Sequence, residues 1–219
     1  MAKLADVKKD RMEVVFILDR SGSMEGLEAD TIGGFNSTLN KQKKEGGSVI
    51  WSTVLFDDRY EVIHDRLPIE SIQPLTENEY YVRGCTALLD AIGRTVTTLK
   101  DVHKKEEVMP EKTLFVITTD GMENASKEFT YRQVKSLIEA QTASGWEFMF
   151  LGANMDAVDV AGRMGIRPQM AATFINDRKG IGKNYEAVGK AMRMLYSEGS
   201  IDEEALEMVR ADFRKRSNS

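Results

Sequence analysis

Unbroken apolar runs that stop abruptly at polar residues set the frame of this chain. The first strand is read from Met12 to Leu18, and its apolar run ends at Asp19-Arg20-Ser21-Gly22-Ser23. Continuous apolarity of this kind predicts a parallel strand covered on both faces, with ligands collecting beyond its carboxyl end. Ser48 to Phe56, Thr113 to Thr119 and Trp146 to Leu151 read the same way, and Met170 to Phe174 as a short last strand. Tyr60 to Leu67 alternates apolar and polar positions instead. With Asp57-Asp58-Arg59 as its turn, that stretch predicts a hairpin whose second strand lies antiparallel at the sheet edge. Asp57 and Asp58 are read as turn formers rather than ligands.

Between these runs the period changes to that of helices. Glu25 to about Lys44 carries Leu27, Ile32, Phe35 and Leu39, although Gly33 and Gly34 interrupt it, and it ends at Gly46-Gly47. Ala87 to His103 has the clearest stripe, made by Leu88, Leu89, Ile92, Val96, Leu99 and Val102. Thr130 and Gln133 predict a capping box for a helix bearing Val134, Leu137 and Ile138. A short helix follows from Met155 to Met164, then one from Arg178 whose inner face is Tyr185, Val188, Met192 and Leu195. Ser200 and Glu203 predict a second box, opening a terminal helix with Leu206, Val209 and Phe213 and a frayed basic end at Arg214-Lys215-Arg216.

Strands alternating with helices predict an α/β fold: a doubly wound, mostly parallel open sheet with one antiparallel edge strand and helices on both faces. The 219 residues suffice for one well-buried core, so a single domain is expected, with its centre over about 12–197 and an additional helix and tail over 198–219. A formal net charge of -5 argues against a general nucleic-acid binder. The charged start, Met1 to Arg11, lacks the apolar segment of a secretory signal, and no apolar run is long enough to span a bilayer. Cys85 is the only cysteine, so no disulfide forms within the chain. A cytoplasmic protein is the resulting expectation.

Three separated segments bring candidate chemistry to the strand ends. Asp19, Ser21 and Ser23 follow the first strand, Thr86 precedes the helix from Ala87, and Asp120 with Gly121 follows Thr118-Thr119. In a doubly wound sheet the first and fourth strands lie side by side where the winding reverses, which puts Asp19 and Asp120 on two walls of one crevice. Two carboxylates and three hydroxyls, without thiolate or imidazole, form a hard donor set suited to Mg²⁺, with Mn²⁺ or Ca²⁺ as alternatives, over zinc or copper.

Asp19-x-Ser21-x-Ser23, the lone Thr86 and Asp120-Gly121 resemble the metal-ion-dependent adhesion site of von Willebrand factor type A domains. The resemblance covers about residues 12 to 175. It implies that Ser21, Ser23 and Thr86 touch the metal directly, while Asp19 and Asp120 act mostly through water. The segments Gly84 to Gly93 and Thr119 to Asn124 look like those of bacterial intracellular members, with Cys85 where glycine is often found. A noncatalytic interaction module is then implied, capturing an Asp or Glu carboxylate of a protein partner. An ATPase or a stress or phosphorylation module is the kind of partner suggested by such relatives.

Two other readings compete. A metal-assisted phosphohydrolase would use Asp19 as nucleophile, but the haloacid-dehalogenase pattern needs a second acid where Ser21 stands. A nucleotide site lacks both the phosphate-loop lysine and the G-x-G-x-x-G spacing. His64 and His103 are read as surface or edge residues, and the twelve methionines as fillers of core gaps.

Overall fold

The computed structural model describes residues 11–107 and 109–217. Most of the charged start and the last two residues of the basic tail lie outside the described residues. β1 (Arg11–Asp19) pairs in parallel with β2 (Ser48–Phe56) on one side and β4 (Lys112–Thr119) on the other. β3 (Tyr60–Pro68) runs antiparallel to β2, and β5 (Trp146–Ala153) and β6 (Ala171–Phe174) continue the parallel sheet beyond β4. The order is β3-β2-β1-β4-β5-β6, the doubly wound arrangement that the apolar runs predict.

Helices cover both faces because the strands are apolar on both. Phe16 stacks on Trp51 at 4.6 Å, and both rings meet Phe35 of α1 (Glu28–Glu45) edge-on. The next residue back, Val15, points the other way, toward Thr95 and Leu99 of α2 (Leu88–His103). α3 (Tyr131–Ala143) packs beside α2 and α5 (Arg178–Glu198) beside α1, while the short α4 (Ala157–Arg163) meets β5 and β6. α6 (Glu204–Ser217) lies on α5 and β6. Among the described residues no helix is long and apolar enough to cross a membrane.

Several boundaries differ from the sequence pattern for local reasons. The first helix begins at Glu28 rather than Glu25, because a single 3-10 turn over Gly22–Met24 is followed by Gly26 at φ 85°. Gly34, which interrupts the helical pattern, is where α5 approaches: a Cβ there would overlap the Tyr185 ring. The Thr130–Gln133 capping box forms as predicted. At α6 the side-chain acceptor is instead Asp202, whose Oδ1 takes the Glu204 N–H at 2.8 Å. Arg216 is not frayed, since it pairs with Asp177 and Asp212.

Both histidines are buried, His64 on the edge strand β3 and His103, which is neither at the surface nor on an edge strand, at the end of α2. His64 Nδ1 lies 3.0 Å from Thr53 Oγ1, and His103 Nε2 lies 2.6 Å from the buried Glu13. Asp57 is likewise more than a turn former. Its carboxylate is fully buried, 3.2 Å from Arg20 Nε and 2.5 Å from Arg83 Nε, and it accepts the Arg59 N–H at 2.6 Å.

Candidate metal centre

The β1 and β4 ends are adjacent in register, Leu18 facing Thr118, so the residues just beyond them face a common point. Asp19 is 1% exposed, and both of its oxygens are engaged: Oδ1 accepts the Ser21 N–H at 2.7 Å and Oδ2 the Thr119 hydroxyl at 2.5 Å. The first bond closes a tight Asx turn that swings Ser21 and Ser23 over the strand end. Their Oγ atoms stand 3.0 Å apart, and Thr86 Oγ1 is 3.1 Å from Ser21 Oγ. Ser23 Oγ in turn donates to Asp120 Oδ1 at 2.5 Å, and Asn176 Nδ2 donates to Asp120 Oδ2 at 2.7 Å. All five residues singled out in the sequence, Asp19, Ser21, Ser23, Thr86 and Asp120, therefore form one connected cluster.

Thr86 is held by the segment after β4. Its N–H donates to Asn124 Oδ1 at 2.9 Å, and its carbonyl accepts the N–H groups of Asn124 and Ala125. Glu123 Oε2 accepts the Leu89 N–H at 2.9 Å in the first turn of α2, satisfying a donor that the helix cannot. Asp90 accepts three further N–H groups, from Lys127, Glu128 and Phe129. The bare Gly121 lets this segment close over the hydroxyls, since a Cβ there would sit 2.5 Å from Thr86 Oγ1 and 3.1 Å from Ser23 Oγ.

The electrostatics of the cluster are unbalanced. Burial pushes Asp19 up to about 6, against the hydrogen bonds from Thr119 and Ser21, and the nearby Asp120 adds to the rise. Burial raises Asp120 as well, opposed by Ser23 and Asn176. Among the described residues no salt bridge reaches either carboxylate. Arg20, the cation next to Asp19 in sequence, faces the other side of the chain. Its Nε meets Asp57 and its Nη2 lies 2.8 Å from Glu61. Two buried acids with neutral partners make a place short of positive charge.

Sequence reasoning missed three contributors. Thr119 stands directly before Asp120, and its hydroxyl at the end of an apolar strand is the signal that could have found it. Tyr80, whose hydroxyl donates to the Asp19 carbonyl at 2.5 Å, and Asn176 come from connections without a pattern. Among the described residues no group of three or more His, Cys, Asp or Glu side chains converges on a metal-sized space, and the oxygens gathered here are mostly hydroxyls.

No protein-family model matches the sequence, and no curated protein sequence matches it. Solved structures do. A von Willebrand factor type A structure from Catenulispora acidiphila is 11% identical, with TM-score 0.59 over 83% of this chain and 42% of that one. Mussel byssus proximal thread matrix protein 1, with a zinc-occupied MIDAS motif, is 16% identical, with TM-score 0.56 over 84% and 46%. The vWF domain of the pilus tip protein Mfa5 from Porphyromonas gingivalis is 9% identical, with TM-score 0.60 over 89% and 99%. The chain thus spans under half of the first two proteins and nearly all of the third. With its strand order and its crevice between β1 and β4, this chain has the von Willebrand factor type A fold.

Proposed function

We propose that the chain is a noncatalytic interaction module that binds a divalent cation, Mg²⁺ in the first instance, between Ser21, Ser23 and Thr86 and captures a carboxylate of a protein partner there. The carrying observation is the pair of buried carboxylates, Asp19 and Asp120, with neutral partners and a triad of hydroxyls between them. The three hydroxyl oxygens are already gathered, Ser21 Oγ at 3.0 Å from Ser23 Oγ and 3.1 Å from Thr86 Oγ1, and such hard donors suit Mg²⁺. Mn²⁺ shares the hard-donor preference, and the zinc in the mussel protein is consistent with a divalent site in this fold.

When bound, a cation supplies a divalent charge that three neutral hydroxyls leave partly uncompensated, open to a partner carboxylate. Asp19 orients Ser21 through its N–H, Asp120 orients Ser23 through its hydroxyl, and Asn124 fixes Thr86. Asp19 is buried with both oxygens engaged, which weighs against an aspartyl nucleophile and for the noncatalytic reading. An ATPase or a stress or phosphorylation module as partner, and a bacterial cytoplasmic setting, belong to the same proposal and rest on sequence resemblance.

Partner capture tests the reading. A captured protein titrated at saturating Mg²⁺ is expected to bind wild type, to release in EDTA, and to lose most affinity on Thr86→Ala. Lys127→Ala, at an exposed rim position, should leave affinity nearly unchanged and alter mainly association rate. Equal binding by wild type and Thr86→Ala would mean that the partner docks elsewhere. Metal-dependent hydrolysis of a phosphate ester, lost on Asp19→Asn, would instead make the chain an enzyme.

A further inference from the structure

Helix α6 supplies none of the five oxygens, yet its cations hold both ends of β6. At the start of the strand, Arg210 Nη2 donates to the carbonyls of Gln169 at 2.8 Å and Ala171 at 3.1 Å. Beyond the end of the strand, Arg216 forks onto Asp177, Nη1 to Oδ1 and Nη2 to Oδ2, and Nη1 also reaches Asp212 Oδ2 at 2.8 Å. Lys179, at the start of α5, lies 2.5 Å from Asp212 Oδ1. An isolated exposed ion pair contributes little. A guanidinium forked onto one carboxylate and shared with a second is a stronger device, because planar two-point contact fixes direction as well as distance. The Asp212 side chain at the centre of the network is only 8% exposed.

The residue before Asp177 enters the metal centre. From adjacent positions Asn176 reaches Asp120 while Asp177, its backbone extended at φ -150° and ψ 172°, reaches Arg216. The segment has little slack. Asp177 Oδ1 accepts the Gly180 N–H at 2.8 Å, the Asp177 N–H donates to the Ile175 carbonyl at 2.8 Å, and a Cβ on Gly180 would overlap that carbonyl. Moving Asp177 must therefore move the Asn176 amide, whose Oδ1 is buried without a protein partner.

We infer that Asn176 is a positioning residue of the metal centre and that α6, through Arg216 and Asp177, sets its position. The C-terminal helix clamps the amide that orients Asp120. This inference rests on the cation-binding reading above. Loosening the clamp then weakens cation affinity as well as stability.

The test uses Mn²⁺ itself as probe, titrated by calorimetry into the full chain at one pH, with melting temperatures in EDTA measured in parallel. Asn176→Ala is expected to weaken Mn²⁺ binding about tenfold and Arg216→Ala about threefold, as supporting partners of ligands do. Arg216→Lys should fall between wild type and Arg216→Ala, because lysine keeps the charge but not the fork. Lys190→Ala removes a different α6 anchor, the bonds to Glu204, and should lower only the melting temperature. Unchanged Mn²⁺ affinity in Asn176→Ala and Arg216→Ala overturns the clamp, as does an equal loss in Lys190→Ala, which would mean general loosening. A wild type that takes up no Mn²⁺ overturns the metal reading itself, and the clamp with it.

Discussion

Gly121→Ala adds one methyl group, removes no donor atom, and is expected to disable the site. The new Cβ would stand 2.5 Å from Thr86 Oγ1, 3.1 Å from Ser23 Oγ and 3.4 Å from the Thr86 Cβ. Comfortable carbon contacts begin near 3.5 Å, so the Thr86 hydroxyl must retreat by roughly 1 Å. Thr86 is stiff at χ1 and its backbone is held on both sides by Asn124, so the hydroxyl either rotates out of the triad or drags the α2 start with it. Displacing one of three hydroxyl donors should weaken divalent binding on the order of 10–100-fold, about 1.4–2.8 kcal/mol. Stability in EDTA should fall by only about 1–2 kcal/mol, the scale of a tolerated overpacking. Calorimetric titration of Mg²⁺ and urea unfolding in EDTA separate the two effects. Gly162→Ala is the control, because nothing lies within 4 Å of a Cβ there. It should leave affinity unchanged and raise stability by about 0.4–1 kcal/mol. Undiminished affinity in Gly121→Ala would refute the placement of Thr86 among the ligands.

Further expectations follow from neighbouring groups. Asp57→Ala leaves the fully buried Arg20 with Glu61 as its remaining counter-charge and should cost about 3–5 kcal/mol, read as a shifted urea midpoint; a cost under about 1 kcal/mol would contradict it. In EDTA, Asp19 keeps its proton in the folded state from the ordinary value of 3.8 up to about 6, whereas the unfolded chain loses it, so stability falls as pH rises through that window. Asp19→Asn should therefore gain about 2 kcal/mol relative to wild type between pH 4 and pH 7, and a pH-independent difference would sink this account. Mg²⁺ at a hundred times its Kd should stabilise wild type by about 2.7 kcal/mol, or about 5–11 °C in melting temperature, and identical melts with metal and EDTA would count against it.

The sheet was legible because its strands are buried on both faces. Val14 to Leu18 and Leu114 to Ile117 have no polar face to obscure them, and the carboxylate or hydroxyl that ends each run marks where the chain meets the crevice. The five oxygens were legible for the same reason. What supports them was not. Asn176 and Tyr80 lie in connections whose residues follow no period, and their roles depend on the fold bringing them to Asp120 and Asp19. Asp57 forms its turn as read, but its second role as a buried counter-ion is invisible in the sequence, because Arg20 and Arg83 arrive from distant segments. Gly34 looked like a helix fault for want of Tyr185, its neighbour from α5.

The central claim, that neutral hydroxyls hold a divalent cation between two buried acids, is tested most directly by calorimetric titration of Mg²⁺ into wild type and into the double variant Ser21→Ala/Ser23→Ala, each confirmed folded in EDTA. The account predicts a saturable single site in wild type and its loss in the double variant. Binding of equal affinity in both, or saturation in neither, would contradict it.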